Sequence, residues 1–278
     1  MNAGLQNSTH PSLIYYDGDY PSKYYSKYPE NFDEIVPFQG LAYDIDKYLQ
    51  LANELGNNVL ELCCGTGRVC IPLAMEGNKV TAVDFAPPLL KQLNDKLNSL
   101  PENTAENLTI IEADITDLDL KTKNFDLVIC AFNSLLCITS FEKQQRVLNN
   151  AATHLRKGGM LALDLMNPFI LNFGGDSIPK PFFTRKNPAT GNVYTRFAAM
   201  GPMQTNQNQK LFGWYDEVEP DGTLKRQLYE MYWRPVFRYE IELMLNKAGF
   251  KIAEIFGGHQ NEPFTPTSRK MFILAIKK

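Results

Sequence analysis

An excess of charge of either sign is missing from this 278-residue chain: 28 Lys and Arg stand against 31 Asp and Glu, a net charge of −3. With no global basic footprint, a sequence-tolerant nucleic-acid binder is not expected. Long hydrophobic runs are also missing. No segment could span a bilayer, and the stretch from Met1 to Pro11 is polar with no apolar core, so neither a membrane span nor a signal peptide is expected. Cysteine is sparse, with Cys63, Cys64, Cys70, Cys130 and Cys137 all in the first half and none at metal-ligand or CxxC spacing. Reduced, buried thiols in a cytoplasmic protein without a metal site are the economical reading. What the chain does have is 44% hydrophobic content, enough for a sizeable core in one large domain or a domain carrying an insertion.

One stretch organises the rest. Asn58-Val59-Leu60-Glu61-Leu62 is an apolar run with one acid; Cys63 to Gly67 is a glycine-containing turn; from Val69 the apolar spacing is helical. Strand, tight loop and helix in that order form a nucleotide site, because Gly65 and Gly67 let a ligand approach the backbone where the next helix opens. Glu61 is the oddity. A lone carboxylate at the end of a buried strand is costly unless a cation or hydrogen-bond donor meets it, and an amino-acid ammonium would serve.

The flanking chain reads as repeated strand and helix units. A scaffold helix from Leu41 ends at Gly56-Asn57, and a second strand, Lys79 to Asp84, ends in a carboxylate placed to take ribose hydroxyls or to complement the helix opened by Pro87. Leu89, Leu90, Leu93, Leu97 and Leu100 give that helix its core face. Asn107 to Ile115 reads as a third strand, where Asp114 could accept from an adenine amino group with Ile115 or Phe85 packed on the ring, or could simply make an Asx-turn. Phe125 to Phe132 is the fourth strand. It opens onto Asn133 and Ser134, which should border the crevice at the carboxyl ends of the strands. Thr139 and Glu142 have capping-box spacing, His154 suits a helix end, and Gly158-Gly159 feeds a fifth strand, Met160 to Met166.

Taken together, Glu61 to Gly67, Asp84, Asp114-Ile115, Phe125 to Val128 and Lys157-Gly158-Gly159 resemble the class I S-adenosylmethionine-dependent methyltransferases. The similarity runs firmly from Val59 to Asn167 and more loosely over Phe237 to Phe250, Lys251 to Gly257 and Arg269 to Ile276. It implies a doubly wound, Rossmann-like α/β fold with a seven-stranded, mostly parallel sheet whose last strand is antiparallel. The implied cofactor is S-adenosylmethionine, released as S-adenosylhomocysteine. It would be held by Glu61, Cys63, Gly65, Gly67, Arg68, Asp84, Phe85, Asp114, Ile115 and Phe132. Cys63 departs from the pattern, standing where many members carry the loop's first glycine. The competing nicotinamide-dehydrogenase reading needs a third glycine where Cys70 stands, and its fingerprint has no acid inside the first strand.

Two further segments flank this core. Residues 1–37 are a tyrosine-dense arm with no sustained period, either packing its rings on the body or forming a lid. Residues 38–168 and 236–278 make the core, and residues 169–235 are an antiparallel β insertion after the fifth strand, with Asp221-Gly222 as a hairpin turn. Arm and insertion resemble the small-molecule branch that includes glycine and amino-sugar N-methyltransferases, in which such segments cover the substrate. A dimerisation ribbon is the bland alternative for the insertion and leaves a homodimer open.

A methyl sulfonium is already activated, so transfer to N or O by in-line displacement asks mainly for positioning and exclusion of water. His259, in the loop after the penultimate strand, and Tyr24 are the candidate catalytic groups. Tyr24, Tyr28, Asn133, Trp214, Tyr232, Trp233, Arg234 and His259 are the candidate acceptor-binding residues. A small-molecule methyl acceptor is expected. A macromolecular acceptor would need a basic groove, for which Lys180, Arg185, Lys186 and Arg196 are the only candidates, and a non-catalytic binding subunit is the third reading.

Overall fold

The computed structural model describes residues 10–22, 24 and 43–278. Two short helices come first, α1 (Pro11–Ile14) and α2 (Tyr16–Asp19), followed by α3 (Asp44–Leu55), β1 (Asn58–Leu62), α4 (Cys70–Met75) and β2 (Lys79–Asp84). After these come α5 (Pro87–Leu97), α6 (Glu102–Glu106), β3 (Leu108–Glu112), β4 (Phe125–Cys130), α7 (Phe141–His154) and β5 (Leu155–Met166). The antiparallel segment is β6 (Lys180–Lys186), β7 (Val193–Met203), β8 (Gln209–Val218) and β9 (Leu224–Trp233). The chain ends with α8 (Arg238–Lys247), β10 (Phe250–Phe256) and β11 (Lys270–Lys277).

Seven strands form one sheet in the order β10-β11-β5-β4-β1-β2-β3, with β11 antiparallel to both neighbours and the remaining pairs parallel. Strands buried on both faces read as continuous apolar runs, and β1, β4 and β5 do so because helices cover both sides. One apolar layer contains Leu60, Leu62, Val128, Leu148, Leu161 and Phe250; the other contains Ile45, Val59, Ile71, Leu127, Ile129 and Phe272. From β1 the chain winds outward through β2 and β3 and then returns to place β4 on the other flank of β1. That reversal opens a crevice at the carboxyl ends of β1 and β4. Among the described residues, no helix is long and apolar enough to cross a membrane.

The second sheet, β6-β7-β8-β9, is wholly antiparallel, and Gly222 turns β8 into β9 with φ 85°. Its strand β6 lies in the part of the insertion richest in Gly, Pro and Asn. Pro181 and the flanking lysines suit an edge strand, where one side needs no ladder hydrogen bonds. On one face Tyr15 packs with Tyr194, Tyr215 and Tyr229; on the other Trp214 stacks on Phe197 at 5.0 Å. Gly213 lets β7 and β8 approach, since a Cβ there would lie 1.9 Å from the carbonyl oxygen of Phe197. Gly213→Ala is therefore expected to destabilise the fold by about 3 kcal/mol. Calorimetry should register this as a fall in Tm of roughly 6 to 12 °C, and an unchanged Tm would contradict this strand register.

Several local expectations need correction. The tyrosine-dense arm is helical in part, because α1 and α2 each make a single turn held by contacts to the rest of the fold. The N-cap of α7 is Ser140, whose side chain accepts from the Lys143 amide and donates to Glu142, so the cap lies one residue beyond Thr139. His154 is buried, accepting from the Leu120 amide at Nε2 and meeting the Asn150 carbonyl at Nδ1. Leu41, Tyr28 and most of residues 1–37 lie outside the described residues.

Candidate active site

At the end of β1 the backbone turns through Cys63 (φ 62°), Gly65 (φ 56°) and Gly67 (φ 92°). All three occupy the left-handed region, which gives a physical reason for glycine at the position Cys63 holds. A Cβ on Gly67 would lie 2.4 Å from Leu93 Cδ1 and 2.7 Å from Ile71 Cδ1, so glycine is needed there for packing as well. Asp84, at the end of β2, accepts from the Gly65 amide (2.8 Å) through one oxygen and from the Ala86 amide (2.9 Å) through the other. The carboxylate thus ties the loop to β2 and also serves the start of α5. Burial holds its pKa above the usual carboxylate range.

Glu61 lies under this loop with only 2% of its surface exposed, and its Oε2 has no hydrogen-bond partner. Burial pushes its pKa up to about 8, the nearby Arg68 guanidinium opposing the rise. Arg68 is itself buried. It pairs with Asp44 through two nitrogens and lies 5.4 Å from the centre of the Phe132 ring. A buried acid with an unpartnered oxygen, set close to a buried guanidinium, leaves a hydrogen-bond acceptor unused at the end of β1.

Across the crevice, Phe132 (φ 51°) and Asn133 (φ 65°) are consecutive left-handed residues at the end of β4, and Asn133 Oδ1 is buried without a partner. Phe85 is half-buried. Asp114 is exposed and makes an Asx-turn with the Thr116 amide (2.7 Å), while Ile115 packs into the core.

The arm closes the front of the crevice. In α2 and its flanks, Tyr15 and Asp19 are one helical turn apart, as are Tyr16 and Tyr20, so the two pairs face different neighbours. Tyr15 stacks on Tyr215 (4.3 Å) and donates to Glu217 (2.7 Å), both in the second sheet. Asp19 accepts from Tyr194 (2.8 Å), Arg196 (2.8 Å) and Tyr215 (2.6 Å). Tyr16, by contrast, has its hydroxyl 3.2 Å from where a Gly65 Cβ would stand, and Tyr20 meets the Phe132 ring edge-on at 4.6 Å. Between them, Asp17 accepts from Thr66 (2.5 Å) and from Lys96 (2.8 Å), latching the arm to the glycine loop.

The expected acceptor-site residues are dispersed. His259 is at the ligand end of the sheet but 6% exposed, against Phe272 and Tyr48, with Nε2 facing Asp164 at 3.5 Å. It is therefore not the open loop base that its position after β10 suggests. Tyr24 donates to Asp46 on α3, and burial together with that acid raises its phenol far above the ordinary value, so it is no proton acceptor near neutrality. Trp214 points to the face of the second sheet opposite the arm, held by Phe197, Arg226 and Asp216. Arg234 is buried and occupied by Gln144, Gln207 and Glu240. Trp233 packs against the core, and Tyr232 pairs across the ladder with Lys210. Sequence reasoning missed Tyr16, Asp19, Tyr20, Asp44 and Asp164. Asp164 carried the same signal as Glu61, a lone acid inside an apolar strand.

A methyltransferase-domain family model matches residues 59–159, the segment that carries this loop and both sides of the crevice. Cypemycin N-terminal methyltransferase of Streptomyces sp is 27% identical over 220 residues, covering 79% of this chain and 82% of that protein. Glycine N-methyltransferase of Mus musculus is 35% identical over 127 residues, 42% of this chain and 43% of that one. The structure of the CcbJ methyltransferase from Streptomyces caelestis superposes with a TM-score of 0.74 at 24% identity, over 91% of this chain and all of that one (100%), a likeness of fold. With this loop, this strand order and these relatives, the chain carries an S-adenosylmethionine-dependent methyltransferase domain over residues 59–159.

Proposed function

We propose that the protein moves the methyl group of S-adenosylmethionine to an amine nitrogen of a small molecule enclosed between the crevice, the arm and the second sheet. The observation that carries the cofactor's placement is the orphaned Oε2 of Glu61 beside Arg68. These two residues suit the amino-acid end of the cofactor, and Asp84, Phe85 and Asp114 lie at the next strand ends along the crevice, where the nucleoside belongs. When bound, the cofactor supplies an activated methyl sulfonium. The chain's own residues supply the rest: Tyr16 and Tyr20 cover the loop and Phe132, the Asp17 latch holds them there, and water is kept from the methyl group.

The nitrogen assignment rests on the relatives, named for methylating the N-terminus of cypemycin and the nitrogen of glycine. Such an acceptor is expected to arrive as the free amine, since of the two candidate bases His259 is buried and Tyr24 donates to Asp46. A macromolecular acceptor is disfavoured by its own candidate cluster, since Arg185 and Arg196 are buried under the arm. Residues 10–22 of the arm and the insertion 169–235 then act together as the cover of the acceptor site.

Thermal unfolding with S-adenosylmethionine, S-adenosylhomocysteine or NAD tests the cofactor reading. At a hundredfold excess over Kd either sulfur ligand is expected to raise Tm by about 5 to 10 °C, from some 2.7 kcal/mol of binding linkage. Asp84→Asn should remove most of that shift. Mass-spectrometric screening of amines, phenols and acids for methyl transfer then tests the acceptor class; turnover of phenols or acids alone would replace the amine reading.

A further inference from the structure

We infer that Asp164, pinned by Lys270 and His259, is the positioning residue that holds Phe132 and Asn133 in the left-handed conformation facing the crevice. The inference rests on the reading of that crevice as the methyl-transfer site. Two successive non-glycine residues at φ 51° and 65° persist only where neighbours over-determine them. Here both amides are claimed by one residue. Phe132 N–H donates to Asp164 Oδ2 (3.1 Å), and Asn133 N–H donates to the Asp164 carbonyl (2.9 Å).

Asp164 is wholly buried on β5. Lys270, at the start of β11, sets its ammonium 2.9 Å from one carboxylate oxygen and 3.2 Å from the other. His259 closes the third side at 3.5 Å, from the loop after β10. The cluster therefore joins the ends of β4, β5 and β11 to that loop, and a carboxylate gripped this way cannot swing away from the Phe132 amide. The ring of Phe132 is fixed by the same arrangement. It lies 4.9 Å from the Lys270 ammonium and 5.4 Å from the Arg68 guanidinium, two buried cations each held by its own acid, Asp164 and Asp44. This fixes the Phe132 ring at the end of β4 beside Asn133, whose Oδ1 is buried without a partner.

Two double variants separate positioning from bulk stability. Asp164→Asn with Lys270→Met removes both charges yet keeps a carbonyl oxygen for the Phe132 amide; Asp164→Leu with Lys270→Met removes the acceptor as well. Hydrogen exchange of the ligand-free proteins, read on fragments spanning residues 131–137, is expected to stay near the parent rate in the first. In the second it should rise about tenfold or more, with β1 and β2 unchanged. S-Adenosylhomocysteine affinity, measured by calorimetry, should fall about thirtyfold in the second and within about threefold in the first. Equal exchange at residues 131–137 in the two variants, or a rise spread evenly over the sheet, would overturn the inference. If the leucine variant does not fold, Lys270→Gln carries the test, with local acceleration at residues 132 and 133 expected and its absence overturning the proposal. Failure of the parent to bind S-adenosylhomocysteine would instead strike the functional reading, since the exchange comparison uses no ligand.

Discussion

Glu61→Gln is expected to make the free protein more stable at alkaline pH and to weaken S-adenosylhomocysteine binding by about 10²-fold or more, the scale of an unpaired buried ammonium. The two effects share one cause. The folded-state pKa of Glu61 is about 8, above its ordinary value of 4.5, because the carboxylate is buried with one oxygen unpartnered. Between those values the folded chain holds a proton that the unfolded chain has released, so stability falls as pH rises from 4.5 to 8 and is level beyond. Glutamine does not titrate. The variant should match the parent near pH 4.5 and exceed it increasingly toward pH 8, with a ceiling of about 5 kcal/mol.

Binding runs the other way. A ligand ammonium needs the ionised carboxylate, so the parent's affinity should climb with pH toward 8, and binding near neutrality should release a proton into the buffer. The ligand's own amine titrates equally in both proteins, so the difference between parent and variant isolates Glu61. Calorimetry in buffers of different ionisation enthalpy measures that proton. A Glu61→Gln protein that keeps parental affinity would place the ammonium elsewhere.

How legible was this in the sequence? Glu61, Gly65, Gly67 and Asp84 are legible because each breaks a local rule: an acid in an apolar strand, glycines where a strand must turn, an acid at a strand's end. The wound sheet follows from the order of those units, since parallel pairing of neighbouring strands requires crossovers of fixed hand. The arm is not legible in that way. Asp19 and Arg196 are separated by 177 positions, and a one-turn helix has no periodicity to read. Trp214 and Arg234 misled for a related reason. Both suit a pocket wall by composition, and only the alternation of β8 and the hydrogen bonds between Gln144 on α7 and Arg234, just after β9, decide which way they face.

The second large effect is expected at the Asp19–Arg196 pair, the point where arm and second sheet lock. Both side chains are buried, at 1% and 8% exposure, and Asp19 takes three charge-assisted or hydroxyl hydrogen bonds. Burial pushes the Asp19 pKa up, while Arg196 and the tyrosine hydroxyls counter that rise. Arg196→Met removes the guanidinium hydrogen-bonded to Asp19 and leaves the buried acid with two tyrosine hydroxyls and the field of Arg185, a defect of about 3 kcal/mol. The chain has a cheaper response than global unfolding. α1 and α2 together contain eight residues, four in each, so their release exposes Asp19 to water while the seven-stranded sheet stays intact. Arg196→Met should therefore show a small change in Tm but accelerated hydrogen exchange confined to residues 10–22. Because Tyr16 and Tyr20 ride on the same turn as Asp19, their cover over Gly65 and Phe132 should loosen with it, and S-adenosylhomocysteine should dissociate about ten to a hundred times faster. Asp19→Asn combined with Arg196→Met removes both charges and should recover part of the arm's protection. A variant that unfolds globally, with the arm no more exposed than the sheet, would show that arm and core form one cooperative unit rather than a body with a closing segment.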